Sequence, residues 1–267
     1  MSNIFYSVLQ FVGFLLIKLN TYCNKFLSKY IACRLDLDNK LGLDKKLDNE
    51  NGNYRILSYN INYGHYLGHQ HIDSIINKIR LKNIDIICLQ EVPNKKTHDY
   101  IKKYSDYKYS IFHNGLSLFT NLEIDNIDIM NYSEHNFYTY PKTGLILCKL
   151  IIDSEELNII NTHLTSDLSG LKQQQELSEL VAFIKSKEIK SRCIVIGDFN
   201  YVDSFDYCKI FKKIDYNKCV FENSFPSIYP FMDLDKLFYK NITVKSNRLV
   251  NFNNSDHLPI YCEFDLA

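Results

Sequence analysis

Residues 193–200 read Cys-Ile-Val-Ile-Gly-Asp-Phe-Asn, and residues 255–264 read Ser-Asp-His-Leu-Pro-Ile-Tyr-Cys-Glu-Phe. In both stretches a short polar group adjoins an apolar run that is typical of a buried strand. Side chains at strand ends lie at the rim of a sheet, where the backbone is rigid and solvent reaches them. Asp and Asn also cap turns, so either stretch alone is ambiguous. Together they predict a site for a metal and a phosphate.

Three more apolar runs, which begin at Arg55, Ile84 and Leu157, also end in polar residues. The five strand ends together supply these side chains: Asn60, Glu91, His163, Asp198, Asn200, Asp256 and His257. A hard cation such as Mg²⁺ binds oxygen ligands, with one or two carboxylates plus water and substrate phosphate. Two imidazoles suit a phosphate oxyanion better than a zinc site.

The five segments resemble the endonuclease/exonuclease/phosphatase superfamily, the metal-dependent phosphoesterases related to deoxyribonuclease I. The resemblance runs in order from about residue 54 to 265 through these motifs: Ser58-Tyr59-Asn60, Leu89-Gln90-Glu91-Val92, Asn161-Thr162-His163-Leu164, Gly197-Asp198-Phe199-Asn200 and Ser255-Asp256-His257-Leu258-Pro259. A weaker part, Leu234-Asp235-Lys236-Leu237-Phe238, looks like a family strand that reads Leu-Asp-Arg-Ile-Phe. The resemblance implies an α+β fold, a four-layer sandwich in which two packed, mostly antiparallel β-sheets are flanked by helices.

The resemblance also implies a metal site at Asn60, Glu91 and Asp256, with Mg²⁺ as the expected ion and Mn²⁺ as a possible substitute. Glu91 matches the family's principal metal ligand. The counterpart of Asn60 lies beside the metal and the phosphate, and Asp256 is expected on the metal side.

The resemblance implies catalytic roles for five further residues. Asp198 resembles the carboxylate that orients or deprotonates the attacking water, and Asn200 is expected to donate to the developing oxyanion. His257 is expected to bind the phosphate or act as general acid, with Asp235 holding its ring. His163 is expected to contact the scissile phosphate. Asp233 competes with Asp235 for its role.

The expected function is Mg²⁺-dependent phosphoester hydrolysis, with nucleic acid as the leading substrate, in an endonuclease, exonuclease or tyrosyl–DNA processing role. Tyrosines at 100, 104, 107 and 109, among lysines from 95 to 108, are candidates for a nucleic-acid groove. Against this, 31 basic and 31 acidic residues give no global attraction to polyanions. The lysines also fit the solvated face of a surface helix. The chain has Thr120-Asn121 where the family has Ser-Arg, which leaves the substrate open.

Two other functions remain open. One is a membrane-associated phosphoesterase that acts on phospholipid or inositol phosphate. The other is an inactive adaptor of the same fold, although the intact polar motifs argue against it. No protein partner is indicated.

Residues 1–35 differ from the rest and are expected to form a hydrophobic, then amphipathic, helix. The apolar stretch from Ile4 to Ile17 is shorter than the roughly 20 residues that a membrane span needs. Residues 4–31 suit a membrane surface, a signal-anchor or a helix packed on the domain. Residues 36–53 are predicted to be a polar linker, and residues 54–267 the catalytic domain.

The eight cysteines show no Cys-x-x-Cys pair, and several lie within apolar strand-like runs. Free cysteine behaves there as a small hydrophobe. The sequence therefore favours a reducing, intracellular compartment, with association to a membrane through the N-terminal helix as an open addition.

Overall fold

Two six-stranded β-sheets dominate the computed structural model, which describes residues 54–62, 69–80, 82–133, 143–167, 169–201, 208–252 and 254–266. The first sheet has the order β11-β12-β1-β2-β4-β3, and its strands in that order are Ile242–Leu249, Ile260–Leu266, Tyr54–Asn60, Ile86–Gln90, Leu116–Thr120 and Tyr109–His113. The second has the order β5-β6-β7-β8-β10-β9, with strands Glu123–Asn131, Gly144–Ile152, Glu155–His163, Arg192–Asp198, Asp235–Lys240 and Asn217–Cys219.

Each sheet is mostly antiparallel and contains a single parallel pair among its described strands. In the first sheet the parallel pair is β1 with β2, and in the second it is β7 with β8. The remaining strand pairs are antiparallel. Helices flank the sheets: α1 (His69–Arg80), α2 (Lys95–Ser105), α3 (Leu171–Ser186) and α4 (Cys208–Lys212). The predicted α+β sandwich of two sheets is therefore confirmed.

Successive side chains of the central strands point alternately into two different apolar layers of the core. Ile194 and Ile196 of β8 lie in the apolar layer between the sheets, whereas Val195 lies with Leu177 and Leu180 of α3. Because side chains of a strand point alternately to opposite faces, a continuous apolar run indicates a strand covered on both sides. The helical spacing of isoleucines from Ile72 to Ile79 likewise gives α1 its buried face.

The charged and aromatic segment after Glu91 forms α2. Its Lys95, Lys96 and Lys103 are exposed, as expected for the solvated face of a surface helix. Tyr107 is buried, and its hydroxyl donates to the Ile84 carbonyl at 2.7 Å. Tyr107 is therefore a core residue and cannot line a nucleic-acid groove.

Residues 51–166 and 172–267 form one compact unit. The predictions of a helix over residues 1–35 and a linker over 36–53 lie outside the described residues. Within the described ranges, no helix is long and apolar enough to cross a membrane. The five cysteines described as free are all buried: Cys88, Cys148, Cys193, Cys219 and Cys262.

Candidate active site

All eight side chains that the sequence singled out come to one end of the two sheets. Strands from both sheets carry them there, because β1 and β2 run parallel in one sheet and β7 and β8 run parallel in the other. Antiparallel β10 begins where β8 ends, since Asp235 is the register partner of Asp198. The loop with Asp256 and His257 leads into β12, which is antiparallel to β1.

Asp198 is the centre of the group and is only 1% exposed. Its Oδ2 accepts a hydrogen bond from Asn60 Nδ2 at 2.9 Å, and its Oδ1 accepts one from the Asn200 backbone N–H at 2.9 Å. His163 Nε2 lies 3.6 Å and His257 Nε2 lies 3.7 Å from Oδ2. This carboxylate therefore has amide donors on one side and two imidazoles beside it.

Asn60 donates hydrogen bonds to the carboxylates of both Asp198 and Glu91. Its Nδ2 also donates to Glu91 Oε1 at 3.1 Å, while its Oδ1 accepts from the Asn62 backbone N–H at 2.9 Å. The orientation of the amide is thus fixed by its partners, with the NH₂ group facing the acids.

Glu91 is a partly buried carboxylate whose charge is opposed by its surroundings. Burial, followed by the negative charge of Asp256, raises the pKa of Glu91 to about 8, although the Asn60 hydrogen bond and His257 oppose the shift. Its backbone has φ of 57°, in the left-handed region that non-glycine residues seldom adopt. Strained backbone at a polar cleft is a common feature of functional sites.

The donors around Glu91 fit a divalent cation. Glu91, Asp198 and Asp256 are hard oxygen ligands, and Asn60 is the neutral group between two of them. A divalent cation would offset the repulsion that raises the pKa of Glu91.

A second set of possible ligand atoms comes from Asp198, Asp235 and His257, which lie within 4.8 Å of one another. Asp235 Oδ2 is already engaged by His257 Nδ1 at 2.8 Å and by the Ser224 hydroxyl at 2.6 Å. Its other oxygen, Oδ1, has no hydrogen-bond partner among the described residues, but the Asp235 side chain is only 1% exposed, against 17% for Glu91. A hydrated cation therefore reaches the Glu91 side more readily.

His257 and Asp235 form a buried pair. Burial opposes a charge on the imidazole, but the Asp235 and Asp198 carboxylates together hold the pKa of His257 well above its ordinary value. Because Nδ1 is tied to Asp235, Nε2 is the nitrogen that faces Asp198. Asp233 instead contacts Lys236 Nζ at 3.0 Å, so Asp235 is the acid beside the histidine.

Ser224 was not found from the sequence. It is fully buried, and its hydroxyl donates to Asp235 Oδ2. A single serine in a segment with no strand or helix periodicity carries no signal, so only the fold reveals this contact.

Asn200 is held by several partners at once. Its Nδ2 donates to the Leu164 carbonyl at 2.8 Å and lies 3.0 Å from His163 Nε2. Because the Asn200 amide is the donor, His163 Nε2 accepts this bond. Burial lowers the pKa of His163, despite the attraction of Asp198. With φ of 52°, Asn200 is the second site residue in the left-handed region.

Gly197 allows β8 to approach β7 closely enough to align Asp198 with His163. Its φ is 150°, and a Cβ atom there would lie 1.9 Å from the Thr162 carbonyl oxygen. Only glycine fits such an approach, which explains why the carboxylate follows a glycine.

Beneath the site, buried amides join the two sheets. Gln90 Nε2 donates to Asn161 Oδ1 at 2.7 Å. Asn161, on β7 of the second sheet, donates from Nδ2 to the carbonyls of Leu89 at 3.1 Å and Ser117 at 3.0 Å, both in the first sheet. This cross-sheet bridge could not be predicted from the sequence, because each amide resembled a strand-end residue.

The comparisons with known proteins agree with the fold. The sequence model described as the Endonuclease/Exonuclease/phosphatase family matches residues 57–257. A UPF0294 protein of Vibrio vulnificus is 28% identical over 132 residues, which are 47% of this chain and 45% of that protein. The chain therefore spans about half the length of the curated relatives it matches.

Three solved structures share the fold at low sequence identity. An endonuclease/exonuclease/phosphatase from Bacteroides vulgatus has a TM-score of 0.68 and 17% identity, with 80% of this chain and 99% of that chain covered. Beta toxin from Staphylococcus aureus with bound magnesium ions has a TM-score of 0.67 and 16% identity, covering 78% and 98%. D. rerio TDP2 with a single-strand DNA product has a TM-score of 0.65 and 16% identity, covering 79% and 98%.

Proposed function

Because the chain belongs to the endonuclease/exonuclease/phosphatase family, whose members are generally phosphoester hydrolases, we propose that it is a Mg²⁺-dependent phosphodiesterase. The observation that carries the proposal is the set of contacts around Asp198, a buried carboxylate that joins groups from both sheets. Such an arrangement is costly for stability, since it concentrates buried charge, and it suits a site for phosphate chemistry.

The proposed mechanism assigns one task to each group. Glu91 and Asp256 would hold the cation, with the Asn60 amide beside them, and the cation would supply charge neutralisation at the phosphate. Asp198 accepts a proton from the attacking water. His257, protonated between two carboxylates, donates a proton from Nε2 to the leaving oxygen.

Asn200 and His163 complete the assignment at the phosphate. The Asn200 amide is preorganised by the Leu164 carbonyl and is positioned to donate to the oxyanion. His163, at the end of β7, would contact the phosphate from the second sheet.

Nucleic acid is the first substrate class that we propose. The similar fold of D. rerio TDP2, which was solved with a single-strand DNA product, supports testing it. Lys95 and Lys96 supply local positive charge, because they are exposed in the first turn of α2, shortly after Glu91.

A phospholipid phosphodiester is the second candidate, and a specific observation favours it. The segment 224–232 contacts the His257 loop and exposes large apolar side chains. Because no basic side chain lies in this segment, it suits an apolar partner better than a polyanion.

The test is hydrolysis of a substrate panel by the full chain: bis(p-nitrophenyl) phosphate, plasmid DNA, single-stranded oligonucleotide, RNA, inositol polyphosphate and phosphatidylcholine vesicles. Activity should require Mg²⁺ or Mn²⁺ and disappear with chelation. Glu91→Gln should lower turnover and raise the Mg²⁺ concentration for half-maximal rate. Asp198→Asn should lower turnover by at least roughly 100-fold at saturating metal.

Asn126→Ala, at an exposed position of β5 outside the site, is the matched control for both variants. Full activity in chelator would contradict the metal dependence. Lack of hydrolysis across the panel would favour the inactive adaptor.

A further inference from the structure

A short hairpin lies against the candidate active site. Residues 224–232, which we call the site hairpin, read Ser-Phe-Pro-Ser-Ile-Tyr-Pro-Phe-Met. It is closed by reciprocal backbone hydrogen bonds, from Phe225 N–H to the Met232 carbonyl at 3.0 Å and from Met232 N–H to the Phe225 carbonyl at 2.9 Å. A third bond, from Tyr229 N–H to the Pro226 carbonyl at 3.1 Å, forms the turn. The site hairpin therefore has a defined conformation.

Its base is fixed to the loop that carries Asp256 and His257. Ser227 N–H donates to the Asp256 carbonyl at 2.7 Å, and the Ser227 hydroxyl donates to the Ser255 carbonyl at 2.6 Å. The Phe225 ring lies 4.8 Å from the His257 ring, between centroids. The position of the hairpin is thus coupled to the proposed general acid.

The tip exposes three large apolar side chains. Ile228 is 48% exposed, Tyr229 is 79% exposed and Phe231 is 49% exposed. They lie within four consecutive positions, and Pro230 among them restricts the backbone. A contiguous apolar surface on an ordered hairpin indicates an interaction site.

The charged residues that flank the tip indicate which class of partner it binds. Between Glu222 and Asp233 the chain has no charged residue, and both of these flanking residues are acidic. A nucleic-acid interface needs lysine or arginine near the phosphates. Tyrosine and phenylalanine beside an aliphatic residue instead match the composition of elements that enter the membrane interface.

We propose that the site hairpin inserts its tip, Ile228, Tyr229 and Phe231, into the surface of a lipid bilayer and presents a phospholipid headgroup to the active site. The inference rests on the phospholipid form of the proposed function. Tyr229 is four residues from Phe225, so the tip extends no more than roughly 13 Å beyond the His257 contact at about 3.3 Å per residue. Interfacial elements enter roughly 5–10 Å deep, which leaves His257 at the level of the lipid phosphates.

The chain contains no tryptophan, which permits a site-specific optical test. In the full chain, Tyr229→Trp should show a blue-shifted emission with phosphatidylcholine vesicles and quenching by brominated phosphatidylcholine. Ile129→Trp is the matched reporter, because Ile129 is 53% exposed on β5, at the opposite edge of the second sheet from β9. It should show neither change.

A rate measurement provides the second arm. Tyr229→Ser/Phe231→Ser should lower the ratio of the rate on phosphatidylcholine vesicles to the rate on bis(p-nitrophenyl) phosphate by roughly tenfold or more, since two large apolar surfaces would stay in water. Ile127→Ser/Ile129→Ser removes two exposed apolar side chains elsewhere and should leave the ratio as in the wild type.

The outcomes separate the two proposals. Unchanged Tyr229→Trp emission with vesicles, whether or not the chain co-sediments with them, overturns the lipid contact. A response to single-stranded oligonucleotide but not to vesicles overturns it in favour of base stacking. Lack of hydrolysis of any phosphodiester overturns the phosphodiesterase proposal, while the emission shift still decides whether the tip meets lipid.

Discussion

Asn60 and Asp198 belong to different sheets and are joined by a 2.9 Å hydrogen bond from Nδ2 to Oδ2. The bond lies where the ends of β1 and β8 meet, so neither sheet alone contains the candidate site. The groups assigned to the cation come mainly from the first sheet, and those assigned to the water and phosphate come mainly from the second. The site therefore depends on how the two sheets are aligned.

Removal of the Asn200 amide should reduce turnover by roughly 100- to 1000-fold, the usual loss for one oxyanion donor. Asn200→Gly is the preferred variant, because glycine accepts a φ of 52° without strain. The thermal midpoint should change little while kcat falls. Asn114→Gly, which replaces a partly exposed turn asparagine with φ of 44°, should leave kcat unaffected. Equal kcat in both variants would contradict the role assigned to Asn200.

Gly197→Ala should destabilise the protein by at least about 3 kcal/mol, because the new methyl group collides with the Thr162 carbonyl on the neighbouring strand. Gly115→Ala is the control: its φ is 81°, but the nearest atom, the Val92 carbonyl oxygen, is 3.7 Å from the added Cβ. That change should cost about 1 kcal/mol. Urea unfolding of both variants measures the difference, and similar losses would show that the contact with Thr162 is readily relieved.

Acid should destabilise the fold through His98. Burial is the main reason that the pKa of His98 falls from 6.5 to about 4. The unfolded chain then binds a proton near pH 6.5 and the folded chain only near pH 4. The stabilising contribution is full above pH 6.5 and is lost as pH falls towards 4, up to about 3 kcal/mol.

His98→Gln tests this dependence, since glutamine does not titrate and can replace the contacts with Ser117 and Ser110. Urea unfolding at several pH values from about 7.5 to 4 should give a shallower loss for the variant than for the wild type. His113→Gln, at a partly exposed strand position, should retain the wild-type slope. Parallel slopes in wild type and His98→Gln would show that other groups cause the acid sensitivity.

A chain that begins at Asn51 should fold and hydrolyse a soluble phosphodiester at the full-length rate. The reason is that residues 51–166 and 172–267 form one compact unit that contains the whole candidate site. Circular dichroism, thermal unfolding and kcat on bis(p-nitrophenyl) phosphate measure the outcome. Aggregation of the shortened chain would instead indicate that residues 1–50 complete its core.

Much of the fold could be predicted from the sequence, because an apolar run that ends in polar residues indicates a buried strand that reaches the rim of a sheet. Val195 and its neighbours form a continuous apolar run because β8 is covered on both faces, and the polar group after it marks the sheet rim. The helix with Ile72 was predictable for the same reason, since its spacing follows the helical period. The spacing of apolar residues along a segment indicates which of its faces are buried, and this distinguishes strands from helices.

The contacts between distant segments were not predictable in this way. Ser224 meets Asp235 only because the site hairpin folds back on β10. Tyr107 was a candidate for a nucleic-acid groove in the sequence, but it is buried against Phe119 and bonded to the Ile84 carbonyl. In each case the partner is chosen by tertiary geometry, which no spacing of residue types along the chain encodes.

The bridge of Gln90 and Asn161 fixes the relative position of the two sheets at the end that carries the site, whereas the sheets can shift relative to each other at the far end. Apolar contacts between sheets have no preferred direction, so they tolerate small sliding movements, whereas hydrogen bonds to the Leu89 and Ser117 carbonyls do not. Shear between the sheets is therefore stopped a residue or two below Glu91 and His163. Substitutions in the far part of the core can shift the packing there, and the amide bridge keeps that shift from reaching the chemistry.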